Sequence, residues 1–137
     1  LETLTFQFNN DDRKKCDLEI RWENISFSFP ITTEVDSKIM ANIDDVMNND
    51  KKPYFDAALY YYENNKDLTK ALEWISTAEK EHPQSAFYKV WKARIQLKMG
   101  DKAGALKTAQ EGVKLAKADN DPEYMRLNQG VADLASK

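Results

Sequence analysis

The chain has 137 residues, 42% hydrophobic and 31% charged, which is enough apolar content for one packed domain and too much for wholesale disorder. A formal net charge of -3 argues against general nucleic-acid binding, which needs a basic surface. The single cysteine, Cys16, excludes an intrachain disulfide, and no run approaches the roughly 20 apolar residues of a membrane span.

Residues 1–31 read in period two. Leu4, Phe6 and Phe8 alternate with Thr3, Thr5 and Gln7, and Leu18, Ile20 and Trp22 with Asp17, Glu19, Arg21 and Glu23. Ile25, Phe27, Phe29 and Ile31 alternate with Ser26, Ser28 and Pro30. This spacing predicts three strands, each with one apolar and one polar face. Residues 9–15 read as a polar connection. Glu23-Asn24 reads as a tight turn in which Asn takes the left-handed conformation. Pro30 cannot donate to a ladder, so the third strand lies at an edge or ends there.

Three strands with one apolar face need a cover. Leu1 falls inside a strand and is not Met, so residues 1–33 are expected to be a β-meander forming the tail of a larger β-domain in a mature or trimmed product. Residues 34–137 form the second expected domain.

There the period becomes 3.6. Ile39, Met40, Ile43, Val46 and Met47 mark a first helix over 36–49, with Asp36 as N-cap. Lys51-Lys52-Pro53 breaks it. A second helix is expected over 53–64, and Asp67 caps a third that Pro83 ends. A fourth over 85–99 stops at Gly100, and Asp101 opens a fifth. Asp121-Pro122 starts the sixth, over 121–136, with Tyr124, Leu127, Val131 and Leu134 on one face.

Short corners between helices predict antiparallel neighbours. Tyr54 matches Tyr88, Asp67 matches Asp101, Ala71-Leu72 matches Ala105-Leu106, and Ala78 matches Gly112, each at an offset of 34 residues. That is the period of a tetratricopeptide hairpin. Small residues suit positions where two helix backbones approach closely. The stretch also resembles the tetratricopeptide consensus at Tyr62, Asp67, Ala71, Leu72, Ile75, Ala78 and Pro83. The second copy matches at Gly100, Asp101, Ala105, Leu106, Gly112, Val113 and Leu115. It departs where Lys92 and Gln96 occupy usually apolar positions, and Trp91, Ile95 and Met99 suggest a shifted core face. The expected fold is α+β: a three-stranded antiparallel β remnant, then a six-helix tetratricopeptide-like right-handed array of αα-hairpins. The repeats span about 53–84 and 85–118, with end helices 36–49 and 121–136 covering them.

The segments LETLTFQF, RWEN, SFSFPI and YYYENNKDLTKALEWI together make the whole chain similar to the C-terminal part of an uncharacterised family of exported bacterial proteins. Members carry a signal peptide, a β-rich domain of unknown function and tetratricopeptide-like helices. The resemblance implies a periplasmic or otherwise extracytoplasmic location and an upstream β-domain of the same full-length chain as partner. It implies no activity.

The run Tyr60-Tyr61-Tyr62 offers the first candidate site. Helix neighbours point about 100° apart, so three adjacent tyrosines cannot serve one surface. Tyr62 is expected in the core with Phe55, Ala58 and Leu59, and Tyr61 against Met47 or Ile43. Tyr60 is expected on the concave side with Asp56, Glu63 and Asn64. The second repeat would add Val90, Arg94, Leu97 and Lys98 to that face. The expected partner-binding set is therefore Asp56, Tyr60, Glu63, Asn64, Arg94 and Lys98, recognising an extended peptide or a carboxylate. The bland alternative is an ordinary scaffold surface.

Other candidates read as structural. His82, the lone histidine, precedes Pro83 at a helix end, where a cation suits the helix dipole. Without further histidines or a cysteine cluster no zinc site has its ligands. Cys16 lacks a neighbouring base. Residues 9–12 and 119–121 are acidic and amidic but lack a calcium-loop spacing. Asp44 and Asp45 point apart on a helix, and four glycines form no phosphate loop. The aromatic strand face admits a sugar-binding reading, a core reading, or a homodimer through the sheet. The sequence thus predicts no catalytic residue, metal or cofactor, and a non-enzymatic protein-interaction or scaffold module whose partner is a protein or peptide. The alternative is a structural appendage to an enzyme or carbohydrate-binding β-domain absent from this chain.

Overall fold

The computed structural model describes residues 3–12, 15–49 and 52–137. The architecture is α+β, a three-stranded antiparallel sheet followed by six helices. The chain divides into two compact units, Leu1–Asp45 and Val46–Lys137.

In the N-terminal unit, β1 (Leu4–Asp12), β2 (Lys15–Trp22) and β3 (Ile25–Thr32) form a meander in the order β1-β2-β3. Leu4, Phe6 and Phe8 stand opposite Trp22, Ile20 and Leu18, which stand opposite Ile25, Phe27 and Phe29. Because side chains alternate along a strand, this register gathers the apolar residues of the three strands on one face. The other face is polar and knitted together. Glu19 accepts hydrogen bonds from Gln7 (3.1 Å), Asn9 (2.7 Å) and Arg21 (2.7 Å). The Arg21 bond is the main cause of a lowered Glu19 carboxyl pKa, and desolvation opposes it.

Two details of the meander differ from expectation. Residues 9–12 and Lys15 belong to the strands, not to a polar loop. Asn9 pairs with Asp17 and Asp12 with Lys15 across an irregularity that puts Asn10 at φ 54°. Polar residues are no obstacle there, because β1 and β2 need the backbone ladder, and Asn10 also donates to Asp17 at 2.8 Å. In the second turn Glu23, not Asn24, takes the positive φ, at 52°. Pro30 lies on the outer strand β3, as its missing N–H requires. Leu1, Arg13, Lys14 and Lys51, which enter the expectations for the first strand, its connection and the helix break, lie outside the described residues. Helix α1 (Asp36–Val46) ends before residue 49, and Asp36 is its first helical residue, not a flanking cap.

The C-terminal unit contains α2 (Tyr54–Glu63), α3 (Leu68–Glu81), α4 (Ala86–Lys98), α5 (Lys102–Ala118) and α6 (Pro122–Ala135). Three aspartates start helices by satisfying first-turn N–H groups. Asp67 accepts from Thr69 and Lys70, Asp101 from Gly104, and Asp121 from Glu123 and Tyr124, at 2.8–3.3 Å. Three left-handed residues stop helices: Asn65 after α2, Gly100 after α4 and Asn120 after α5. In each case the next residue's N–H reaches back to the last turn, from Lys66 to Tyr61, Asp101 to Gln96 and Asp121 to Ala116. These closures turn the chain sharply and place consecutive helices side by side.

Successive helices from α2 to α6 pack on one another, and α4 also packs on α6. The contacts run through alanine. Ala58, Ala71, Ala93, Ala105, Ala109 and Ala116 are fully buried, which permits close backbone approach. Val90, Ala93, Ala109, Val131 and Ala132 form the core cluster, with Trp91, Leu97, Leu106 and Leu127 against it. Aromatic contacts link α2 to α4 and α4 to α6. Phe55 meets Phe87 at 4.8 Å and Trp91 at 6.1 Å, and Phe87 meets Tyr124 at 5.8 Å. Helices α2, α4 and α6 therefore share one side of the unit.

Candidate binding groove of the helical unit

On that side lies an open groove of about 440 Å³. Tyr62 comes from the end of α2, Arg94, Leu97 and Lys98 from α4, and Arg126, Leu127, Gly130, Val131 and Leu134 from α6. Each set follows from helical spacing: 94, 97 and 98, or 127, 130, 131 and 134, recur at three- and four-residue steps and share a face. Leu97, Leu127 and Val131 are also core residues or pack against the core, so the apolar floor is continuous with the interior. At Gly130 an added Cβ would meet nothing within 4 Å, so this glycine widens the groove without being required for packing.

Three cations surround this floor. The Arg94 guanidinium lies 4.8 Å from the centre of the Trp91 ring. The Lys98 ammonium lies 4.5 Å over Tyr62 and donates to the Tyr62 carbonyl at the end of α2. That carbonyl is one of the orphan acceptors of a helix C-terminus, where a cation is favoured. Arg126 is exposed. Among the described residues none of the three has a carboxylate partner, and no acidic residue lines the groove. In a chain of net charge -3 this is a local reversal of sign.

Of the residues expected on a concave site, Arg94 and Lys98 line this groove. Asp56, Tyr60, Glu63 and Asn64 are not among its lining residues. The Asn64 amide donates to the Tyr60 carbonyl at 2.9 Å, so it finishes α2. Tyr61 is 3% exposed and packs edge-on against Trp74 at 4.8 Å. Tyr62, expected in the core, is half-buried: one side meets Trp91 edge-on at 6.0 Å and the other opens to the groove. Val90, expected beside Arg94, is instead core at 1% exposed. Sequence reasoning misses Arg126 and Gly130, because the apolar stripe of α6 signals only a packing face. Their spacing of four, flanking that stripe, is the available signal.

A second charged cluster has a different character. Glu79 on α3 accepts from Lys92 at 2.6 Å and pairs with Lys89, which also donates to Glu111 of α5 at 2.8 Å. Lys92 is thus polar at a usually apolar position because it answers a buried carboxylate. Burial pushes the Glu79 pKa up, but the two lysines outweigh it and hold the carboxyl below its ordinary value. Burial likewise pulls Lys89 down, and its two carboxylates outweigh that and raise it. Every charge is answered within the cluster, which ties α3, α4 and α5 together. His82 stacks on Tyr88 at 5.2 Å, a packing role.

Among the described residues no group of three or more His, Cys, Asp or Glu could hold a metal ion, and no helix is long and apolar enough to cross a membrane. Comparison of the chain with family models, with curated proteins and with solved structures gives no match.

Proposed function

We propose that the helical unit is a non-enzymatic protein-interaction module, whose groove across α2, α4 and α6 holds an extended partner segment carrying acidic and apolar side chains. The observation that carries this reading is the set of three cations without carboxylate partners, among the described residues, around a continuous apolar floor. Like charges gathered without counter-charge repel one another, and a bound carboxylate relieves that repulsion. Leu97, Leu127 and Leu134 take the apolar side chains, and Tyr62 and Arg94 supply flat surfaces against which a peptide lies.

A tetratricopeptide-like arrangement belongs to the same proposal. It is supported by positions 34 residues apart that do the same work: Asp67 and Asp101 both cap, and Ala71 and Ala105 are both fully buried. The resemblance to exported bacterial proteins supports an extracytoplasmic location for the module.

The test is fluorescence anisotropy with a labelled peptide of alternating Asp and Leu, run beside Lys/Leu and Asp/Ser peptides of equal length. The Asp/Leu peptide binds best, binding weakens as salt rises, and Arg126→Ala or Arg94→Ala each weakens it about fivefold, or about 1 kcal/mol. Equal binding of all three peptides, or variants indistinguishable from the native chain, rejects the groove as the interaction site.

A further inference from the structure

The apolar face of the sheet uses none of the chemistry above, yet it is the largest exposed apolar surface of the N-terminal unit. Phe6, Phe8, Trp22, Phe27 and Phe29 are exposed at 60, 67, 54, 60 and 50%. They come from all three strands, and the pairing of Phe6 with Ile20 and of Ile20 with Phe27 puts them on one face. Leu18 and Ile20 of the central strand are half-buried between the two phenylalanine ridges. Helix α1 leaves these rings open to solvent.

We infer that this face is an interface between two copies of the chain, packed face to face as a two-layer sandwich. The area argues for it first. At ~150–250 Å² per aromatic side chain, the five rings and the aliphatic residues beside them expose on the order of 800 Å². The largest apolar patch of a typical monomer is about 300–600 Å². Two such faces together bury about 1,600 Å², the size of a standard stable interface.

Charge argues for a second copy in particular. Over the regularly paired part of the face, Leu4 to Phe8, Cys16 to Trp22 and Ile25 to Ile31, Cys16 is the one ionisable side chain, so this part has no charge pattern with which to select a different partner. A two-fold axis sets the face against itself without burying a charge. The opposite, hydrogen-bonded face stays in water, as one-sided antiparallel sheets do. Pro30 on the outer edge of β3 lacks the N–H for edge pairing at that position, which favours association through the face.

Cys16 supplies the reporter. It is the sole cysteine, half-buried, opposite Ile31 and on the same side of β2 as Leu18 and Ile20. The experiment pairs sedimentation velocity of the native chain over a wide concentration range with the rate of Cys16 alkylation. Both are repeated on Phe8→Glu and Phe27→Glu. A dimer is expected, with alkylation slowing at least severalfold as concentration rises. Each variant is expected as a monomer whose alkylation rate ignores concentration and whose helical circular dichroism is unchanged. The native-chain alkylation series needs no variant to fold, so it decides by itself if a substitution disrupts the sheet. A native monomer at all concentrations, a dimer that leaves Cys16 equally reactive, or a dimer that survives both substitutions overturns the inference. So does a monomer whose face is taken by lipid vesicles, by a polysaccharide or by strands of a longer chain.

Discussion

A methyl group on Gly112 would lie 2.0 Å from the side-chain oxygen of Asn128, closer than any two such atoms can stand. Asn128 is fully buried, and its amide donates to the carbonyls of Ala86 (3.1 Å) and Tyr124 (2.9 Å), so it cannot swing away. Its oxygen accepts no hydrogen bond among the described residues and rests against the bare Cα of Gly112. Helices α5 and α6 meet at this point, and both residues set their separation.

Gly112→Ala is therefore expected to destabilise the unit by about 1–3 kcal/mol through overpacking, despite the better helix propensity of alanine. In an Asn128→Ala background the same substitution should cost nothing or stabilise slightly. The two changes are then strongly non-additive. Urea denaturation of the four proteins measures the cycle, and additive effects would show that the two side chains do not meet.

Asn128 also marks what the sequence could not say. The stripe Tyr124, Leu127, Val131 and Leu134 identified α6 and its orientation, but the most buried side chain of that helix is polar and interrupts it. Periodicity weighs apolar residues and passes over an amide whose NH2 group donates to a carbonyl from α4. The same limit hid the Glu79–Lys89–Glu111 cluster, because pairing between helices leaves no trace in the period of any one helix. Signals local to a few residues were legible: the three capping aspartates, the left-handed Gly100 and the two-residue alternation of the strands. A small part of the groove was legible for the same reason. Arg94 and Lys98 share one helix, whereas Tyr62 and Arg126 join them only through the packing of three helices.

Local capping can be tested by contrast. Asp67 holds two first-turn N–H groups, whereas Ser85, at the corresponding start of α4, makes no side-chain cap hydrogen bond. Asp67→Ala should cost about 1 kcal/mol and Ser85→Ala only a few tenths. Thermal unfolding of both variants decides it, and equal losses would mean that the Asp67 bonds do not matter for stability.

The Glu79 cluster predicts a pH dependence with a definite sign. Its folded carboxyl pKa lies below the ordinary value of 4.5, so its stabilising share is present above that value and lost as pH falls through the lower folded pKa. Lys89 lies above its ordinary 10.5, so its share is present below that value and lost as pH rises through the folded pKa. Lys89→Met leaves Glu79 with Lys92 alone and Glu111 without its partner. A loss of about 1–2 kcal/mol at neutral pH is expected, less than for a fully buried pair left half-empty. Stability curves of the native chain and Glu79→Gln should converge as pH drops below 4.5. Parallel curves would show that the carboxylate is not what the acid removes.

Gly130 separates binding from folding more cleanly than any charge removal. Its backbone is helical, and the space where a side chain would go is open. Gly130→Ala should stabilise α6 by about 0.8–1.0 kcal/mol, because alanine loses less backbone entropy on folding. Gly130→Leu should keep most of that gain while its side chain enters the groove among Leu127, Leu134 and Arg126. Binding of the Asp/Leu peptide should then fall by about tenfold or more although the unfolding temperature rises. Loss of function by unfolding would move the two quantities in the same direction. A Gly130→Leu variant that is more stable and still binds at native strength would place the partner elsewhere on the molecule.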